Sequence, residues 1–98
     1  MQMFVEFDIN ADIIDVPQSV IDNREDLRSR FLKWLYDKSV KHKYWHTFKD
    51  GSRGVMYRSD AFVEWLNKKV LSDSEQKAAI VEQHVSRDGE YPLPSIFF

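Results

Sequence analysis

Cysteine is missing from this chain of 98 residues, and glycine and proline occur only three times each. Without cysteine there is no disulfide framework, no thiolate metal site and no cysteine nucleophile. A small domain that folds without such staples fits a reducing compartment. Scarce glycine and proline argue against a linker or low-complexity chain. No apolar run approaches the roughly 20 residues needed to span a bilayer. The first ten residues hold Glu6 and Asp8 and no base, unlike a signal peptide. A cytoplasmic protein without membrane contact is the expectation. The sequence also lacks the nucleophile elbow, the phosphate-binding loop, the dinucleotide fingerprint and the paired-histidine zinc motif, so no familiar catalytic signature is present.

What is present marks a folded globule. Hydrophobic residues make up 43% and aromatic residues 14% of the chain, a composition that disordered segments do not have. The length suits one compact domain, residues 1–98. Such a domain buries only about 60–65% of its unfolded surface, and a homo-oligomer would relieve the shortage of core. The net charge of −2 conceals an uneven distribution. Residues 1–26 carry seven acids and one base, residues 27–58 nine bases and two acids, and residues 59–98 seven acids and four bases. A basic middle between acidic ends predicts a polar molecule with a preferred partner face, unless the ends fold back and neutralise it.

Residues 3–9 alternate, which predicts a strand with Met3, Val5, Phe7 and Ile9 inward and Phe4, Glu6 and Asp8 on an exposed face. Residues 10–16 read as a loop anchored by Ile13 and Ile14, with Pro17 opening a helical turn. Asn23 or Asp22 caps a long helix. Glu25 and Asp26 suit its first turn, and Leu27, Phe31, Trp34 and Leu35 form its apolar stripe. Asp50-Gly51 signals a hairpin. With an even-length loop, Tyr44, His46, Phe48, Val55 and Tyr57 face the core, and Trp45, Thr47, Lys49 and Met56 face outward; an odd-length loop breaks that correspondence. Ser59 caps a helix through Phe62, Trp65, Leu66 and Val70. Ser72 and Glu75 have capping-box spacing and restart a helix with Ala78, Val81 and Val85 as its stripe. After a turn at 86–90, Pro92 and Pro94 keep the tail extended, over a sheet edge or toward a partner. The expected fold is α+β in the order β-α-β-β-α-α plus an extended C-terminal segment, with a three-stranded antiparallel sheet packed against helices.

Residues 41–58 concentrate the available chemistry. Lys41, Lys43, Lys49, Arg53 and Arg58 are candidate phosphate contacts, with Trp45 as a stacking platform. Arg28, Arg30 and Lys33 on the preceding helix would extend that patch. The overall pI near 5.9 falls short of the usual basic footprint of nucleic-acid-binding domains. His42 and His46, four apart, supply half a metal site and nothing fixes the rest, so neither metal nor cofactor is expected. The acids Asp8, Asp12, Asp15, Asp22, Glu25 and Asp26 are irregularly spaced, and a short chain has little volume for a deep pocket. Enzymatic activity is therefore disfavoured. The function expected is that of a small non-enzymatic binding module, with a protein partner ahead of nucleic acid. Its candidate anchors are Trp45, Met56, Phe97 and Phe98, apolar groups for which the hairpin and tail provide no obvious core.

Overall fold

The computed structural model describes residues 1–7, 10–85 and 93–98. Within them the elements run β1 (Gln2–Glu6), β2 (Ala11–Asp15), α1 (Gln18–Asp22), α2 (Arg24–Leu35), β3 (Trp45–Thr47), β4 (Arg53–Val55), α3 (Ser59–Trp65), a π-helical turn (Leu66–Val70), β5 (Ala79–Val85) and β6 (Ser95–Phe97). The expected turn at 86–90, Tyr91 and Pro92 of the tail, and Asp8 and Ile9 of the first strand lie outside the described residues.

The fold class is α+β, but the sheet differs from expectation. It has four strands in the order β5-β2-β1-β6, and the hairpin β3-β4 forms a separate ribbon. Residues 11–15 supply an internal strand rather than a loop. Ala11, Ile13 and Ile14 are buried, and a short branched run covered on both faces suits such a position. β1 pairs antiparallel with β2 and parallel with β6, so the sheet is mixed. The predicted alternation of β1 holds, since Met3 and Val5 join the main core while Phe4 faces the other way. That other face is not open at Phe4, which packs in a smaller cluster with Ala11, Ile13, Val85 and Leu93.

Residues 79–85 form a strand where a helix was expected. The spacing of Ala78, Val81 and Val85 fits a helical stripe, yet Ile80, Val81 and Val85 are β-branched and pair readily in a sheet. β5 runs antiparallel to β2 with register shifts between Ala11 and Ile13 and between Ile13 and Ile14, so it carries extra residues and bulges. The Ser72 capping box is unused; Ser74 instead closes a turn with Gln76. The tail adds β6 to the sheet edge, where the Pro94 carbonyl accepts from Phe4 N at 2.9 Å. Proline is tolerated beside an edge strand because no inner ladder needs its missing N–H.

The helices cover one sheet face. α2 follows Asn23, as expected, though the Asn23 amide donates back to Ser19 O instead of capping. Leu27, Phe31 and Leu35 point inward. Phe31 is fully buried and its ring meets those of Trp34, Tyr57, Phe62, Trp65 and Phe98 at 5.2–6.1 Å. All but the tilted Trp34 pair are edge-to-face, a geometry that adds to the burial of each ring. The C-terminal Phe98 completes the cluster, while its neighbour Phe97 is 55% exposed. Phe31→Ala is expected to cost about 3–5 kcal/mol by loss of transfer energy and cavity formation. Phe97→Ala should change stability by less than about 0.5 kcal/mol; urea denaturation of both variants checks the contrast.

Candidate functional site

Asp12 lies on the helix-facing side of β2 and is completely buried. Its Oδ1 accepts from Arg58 Nη2 at 2.7 Å and from the His84 backbone N at 3.0 Å. Its Oδ2 accepts from Ser59 Oγ at 2.5 Å, Ser59 N at 3.3 Å and Arg58 Nε at 3.4 Å. Burial alone would raise this carboxyl's pKa, but the bonds from Arg58, Ser59 and His84 outweigh it and hold it below the ordinary value. Arg58 also reaches Asn10 Oδ1 at 2.7 Å and lies 4.5 Å from the centre of the Phe7 ring. One carboxylate thus ties the sheet to the end of the hairpin, the start of α3 and β5. Serine, histidine and aspartate meet here without forming a nucleophile relay. The Ser59 hydroxyl is buried and donates directly to Asp12, and the His84 ring faces Asn10 at 3.4 Å. Ser59 therefore serves the sheet and not the helix cap expected of it.

The hairpin turns through an odd-length loop. Trp45 pairs with Val55, His46 with Gly54 and Thr47 with Arg53. Phe48 N donates to Ser52 O at 2.8 Å, and Gly51 N donates to Phe48 O at 3.0 Å. The loop is therefore Lys49-Asp50-Gly51, with Gly51 at φ +87 and Asp50 Oδ1 accepting from Ser52 N and Oγ. A three-residue loop of this type needs a left-handed last residue, which glycine supplies. The expected face assignment is corrected accordingly: Trp45, Thr47, Arg53, Val55 and Tyr57 alternate on one side, and Tyr44, His46, Phe48, Gly54 and Met56 on the other. Gly54 has its own reason, since a Cβ there would lie 2.8 Å from the Phe48 ring.

Behind the hairpin, residues 40–43 face α3 and the π-helical turn across a cleft of about 340 Å³. Its lining combines Trp34, His42 and Trp65 with Lys41, Lys43, Lys68 and Lys69, and with one acid, Glu64. His42 is fixed in orientation: Nε2–H donates to Leu35 O at 2.8 Å, and Nδ1 accepts from Tyr44 N at 3.2 Å. Its ring stacks on Trp45 at 5.4 Å with a 4° tilt, and lies 4.7 Å from Trp34. Glu64 accepts from Lys68 at 2.8 Å and from the Tyr44 hydroxyl, with Lys43 3.5 Å away. Lys68, Tyr44 and Lys43 together hold the Glu64 carboxyl down at about 2. Burial and then Glu64 push the Tyr44 phenol up. Lys41 and Lys69 have no ion pair among the described residues.

The sequence candidates separate on this frame. Met56 is 61% exposed, like the similarly exposed Phe97. Trp45 is half-buried, donates Nε1–H to Val40 O at 2.9 Å and is covered by Arg53 at 5.0 Å. Phe98 belongs to the aromatic core. Among the cations, Lys41 and Lys43 rim the cleft, Lys49 sits at the hairpin tip, and Arg58 is committed to Asp12. Arg28 on α2 donates to Phe97 O and straps the C-terminal strand. No group of three histidine or acidic side chains among the described residues gathers to hold a metal. Sequence reasoning missed Asp12, Lys68, Lys69 and the edge strand β5. An acid enclosed by Ala11 and Ile13-Ile14 was the signal for the first, and the β-branched Ile80, Val81 and Val85 for β5; nothing local marks Lys68 and Lys69.

Asp12→Asn leaves Arg58 without its charge partner and should lower the unfolding free energy by about 3 kcal/mol. Glu64 has its folded pKa lowered from 4.5 to about 2. Its stabilisation is therefore complete above pH 4.5 and is lost as pH falls toward 2. Glu64→Gln should be less stable than wild type by roughly 1 kcal/mol above pH 5, with the difference closing by pH 2. Urea titrations across that range check both variants.

No protein-family model, curated protein or solved structure matches the chain.

Proposed function

We propose that the protein is a non-enzymatic binding module that takes a protein partner by strand addition along β5. One observation carries this reading. All of β5 except Val85 is exposed, Ile80 and Val81 among it, and its outer edge has no neighbouring strand among the described residues. An open edge offers backbone donors and acceptors to an extended segment, and adjacent side chains set its specificity. The strand is held at both ends. Asn67 exchanges two hydrogen bonds with the Ala78 backbone, at 2.8 and 3.0 Å, and Asp12 accepts from His84 N.

The bulges limit the regular template to the first part of β5 and discourage indiscriminate sheet growth. Exposed Glu82, on β5 beside Ile80 and Val81, favours a partner segment that alternates apolar with basic side chains. Exposed Met56 and Phe97 are further apolar contacts outside this edge. A second reading, nucleic acid along Lys41, Lys43, Lys49 and Arg53 beside Trp45, draws support from the exposure of all four cations on and next to the hairpin. It predicts affinity falling steeply between about 50 and 200 mM salt.

The double variant Ile80→Lys/Val81→Lys alters only exposed side chains and should stay within about 0.5 kcal/mol of wild-type stability. Partners captured by the wild-type chain should slow amide exchange across 79–85, and the variant should bind them about tenfold more weakly or worse. Undiminished binding by the variant, or protection confined to 41–58, would contradict strand addition.

A further inference from the structure

Independently of the β5 edge, the cleft behind the hairpin has the chemistry of a ligand site. We propose that it binds a nucleoside phosphate, with the planar base against the half-buried Trp34 indole and the phosphates among Lys41, Lys43, Lys68 and Lys69.

Four features point to this class of ligand. First, the lining is strongly unbalanced, with four lysines around one carboxylate. Glu64 is shared by Lys68 and Lys43, leaving Lys41 and Lys69 without a counter-ion among the described residues. Ammonium groups gathered around a concave surface raise the local potential and attract a multiply charged anion more than a single carboxylate. Second, the wall beside them is aromatic and set in advance. His42 is fixed through both ring nitrogens, stacked on Trp45 and close to half-buried Trp34. A base stacking there orders little of the protein, so less free energy is lost on binding.

Third, the volume of about 340 Å³ falls at the lower end of the range for small-ligand pockets, enough for one nucleotide unit and not for a folded segment. Fourth, Lys68 and Lys69 sit on a π-helical turn, where Leu71 N reaches back to Leu66 O at 2.7 Å. Such turns are rare and recur at functional sites because they displace side chains from the α-helical path. The shared chemistry is a base joined to phosphate, supplied either by a free nucleotide or by one unit of a single strand.

The test titrates the full chain, at about 50 mM salt, with ATP, adenosine, tripolyphosphate, a ten-nucleotide single-stranded DNA and poly-glutamate. Tryptophan fluorescence and amide chemical shifts provide the readouts. ATP or the oligonucleotide should quench fluorescence and shift the amides of residues 40–45 and 64–69. Adenosine and tripolyphosphate should each bind at least about tenfold more weakly, because each loses one half of the contacts. Tighter binding of ATP identifies a free nucleotide as the source; tighter binding of the oligonucleotide identifies a strand. Lys41→Ala/Lys69→Ala removes two exposed side chains outside any described ion pair and should weaken binding about tenfold with the fold intact. Trp34→Leu should erase the preference for ATP over tripolyphosphate. Equal binding of tripolyphosphate and ATP, tighter binding of poly-glutamate, or unmoved amides at millimolar ATP and oligonucleotide would overturn the proposal.

Discussion

The buried carboxylate of Asp12 is the constraint on which the rest of the structure depends. A charge placed among Val5, Ile14 and the helices would be costly if left alone. Here it accepts from a guanidinium, a hydroxyl and two backbone amides, drawn from residues 46 to 72 positions away in sequence. The ladder bonds fix the register of the strands, but apolar burial alone places the hairpin and α3 against the sheet less specifically, because dispersion is not directional. Five directed bonds on one carboxylate fix a single arrangement, in which the end of the hairpin, the start of α3 and the far part of β5 take their places from β2.

Both surfaces proposed as binding sites follow from that arrangement. β5 is an exposed strand, yet its backbone is positioned by Asp12 at His84 and by Asn67 at Ala78. His84 adopts φ +60, a left-handed conformation that costs energy in a residue with a side chain. The bond to Asp12 offsets that cost. The cleft is set by the other end of the same chain of contacts: Arg58 and Ser59 anchor the helix whose later residues, Glu64, Trp65, Lys68 and Lys69, form one wall. Tyr44 and His42 then join the opposite wall to Glu64 and Leu35. Rigidity at both places comes from polar bonds at their margins, while Phe31 and its ring neighbours supply the bulk of the core.

Sequence pattern revealed the elements governed by local chemistry. The α2 stripe, the alternation of β1, the helix through Phe62 and Trp65, and the Asp50-Gly51 turn could all be read from spacing and residue type. Pairing between distant segments could not. The stretch around Ile13-Ile14 is too short to separate a loop anchor from an internal strand, and Val81 and Val85 fit a helix as well as a bulged strand until β2 is known to lie beside them. The hairpin faces depended on a single residue of loop length, decided by Gly51 taking the left-handed position. For the candidate site, Lys41, Lys43 and Trp45 stood out by composition. Their neighbours Lys68 and Lys69 did not, because only tertiary structure brings the π-helical turn to residues 40–43. Arg58 looked like a surface cation for the converse reason: its partner Asp12 lies 46 residues upstream.

The Asp12–Arg58 contact couples the sheet to the hairpin and α3. A double-mutant cycle on Asp12→Asn and Arg58→Met, followed by urea denaturation at pH 7, measures that coupling directly. A coupling energy of about 2 kcal/mol or more is the predicted result. Additive effects, within about 0.5 kcal/mol, would contradict it.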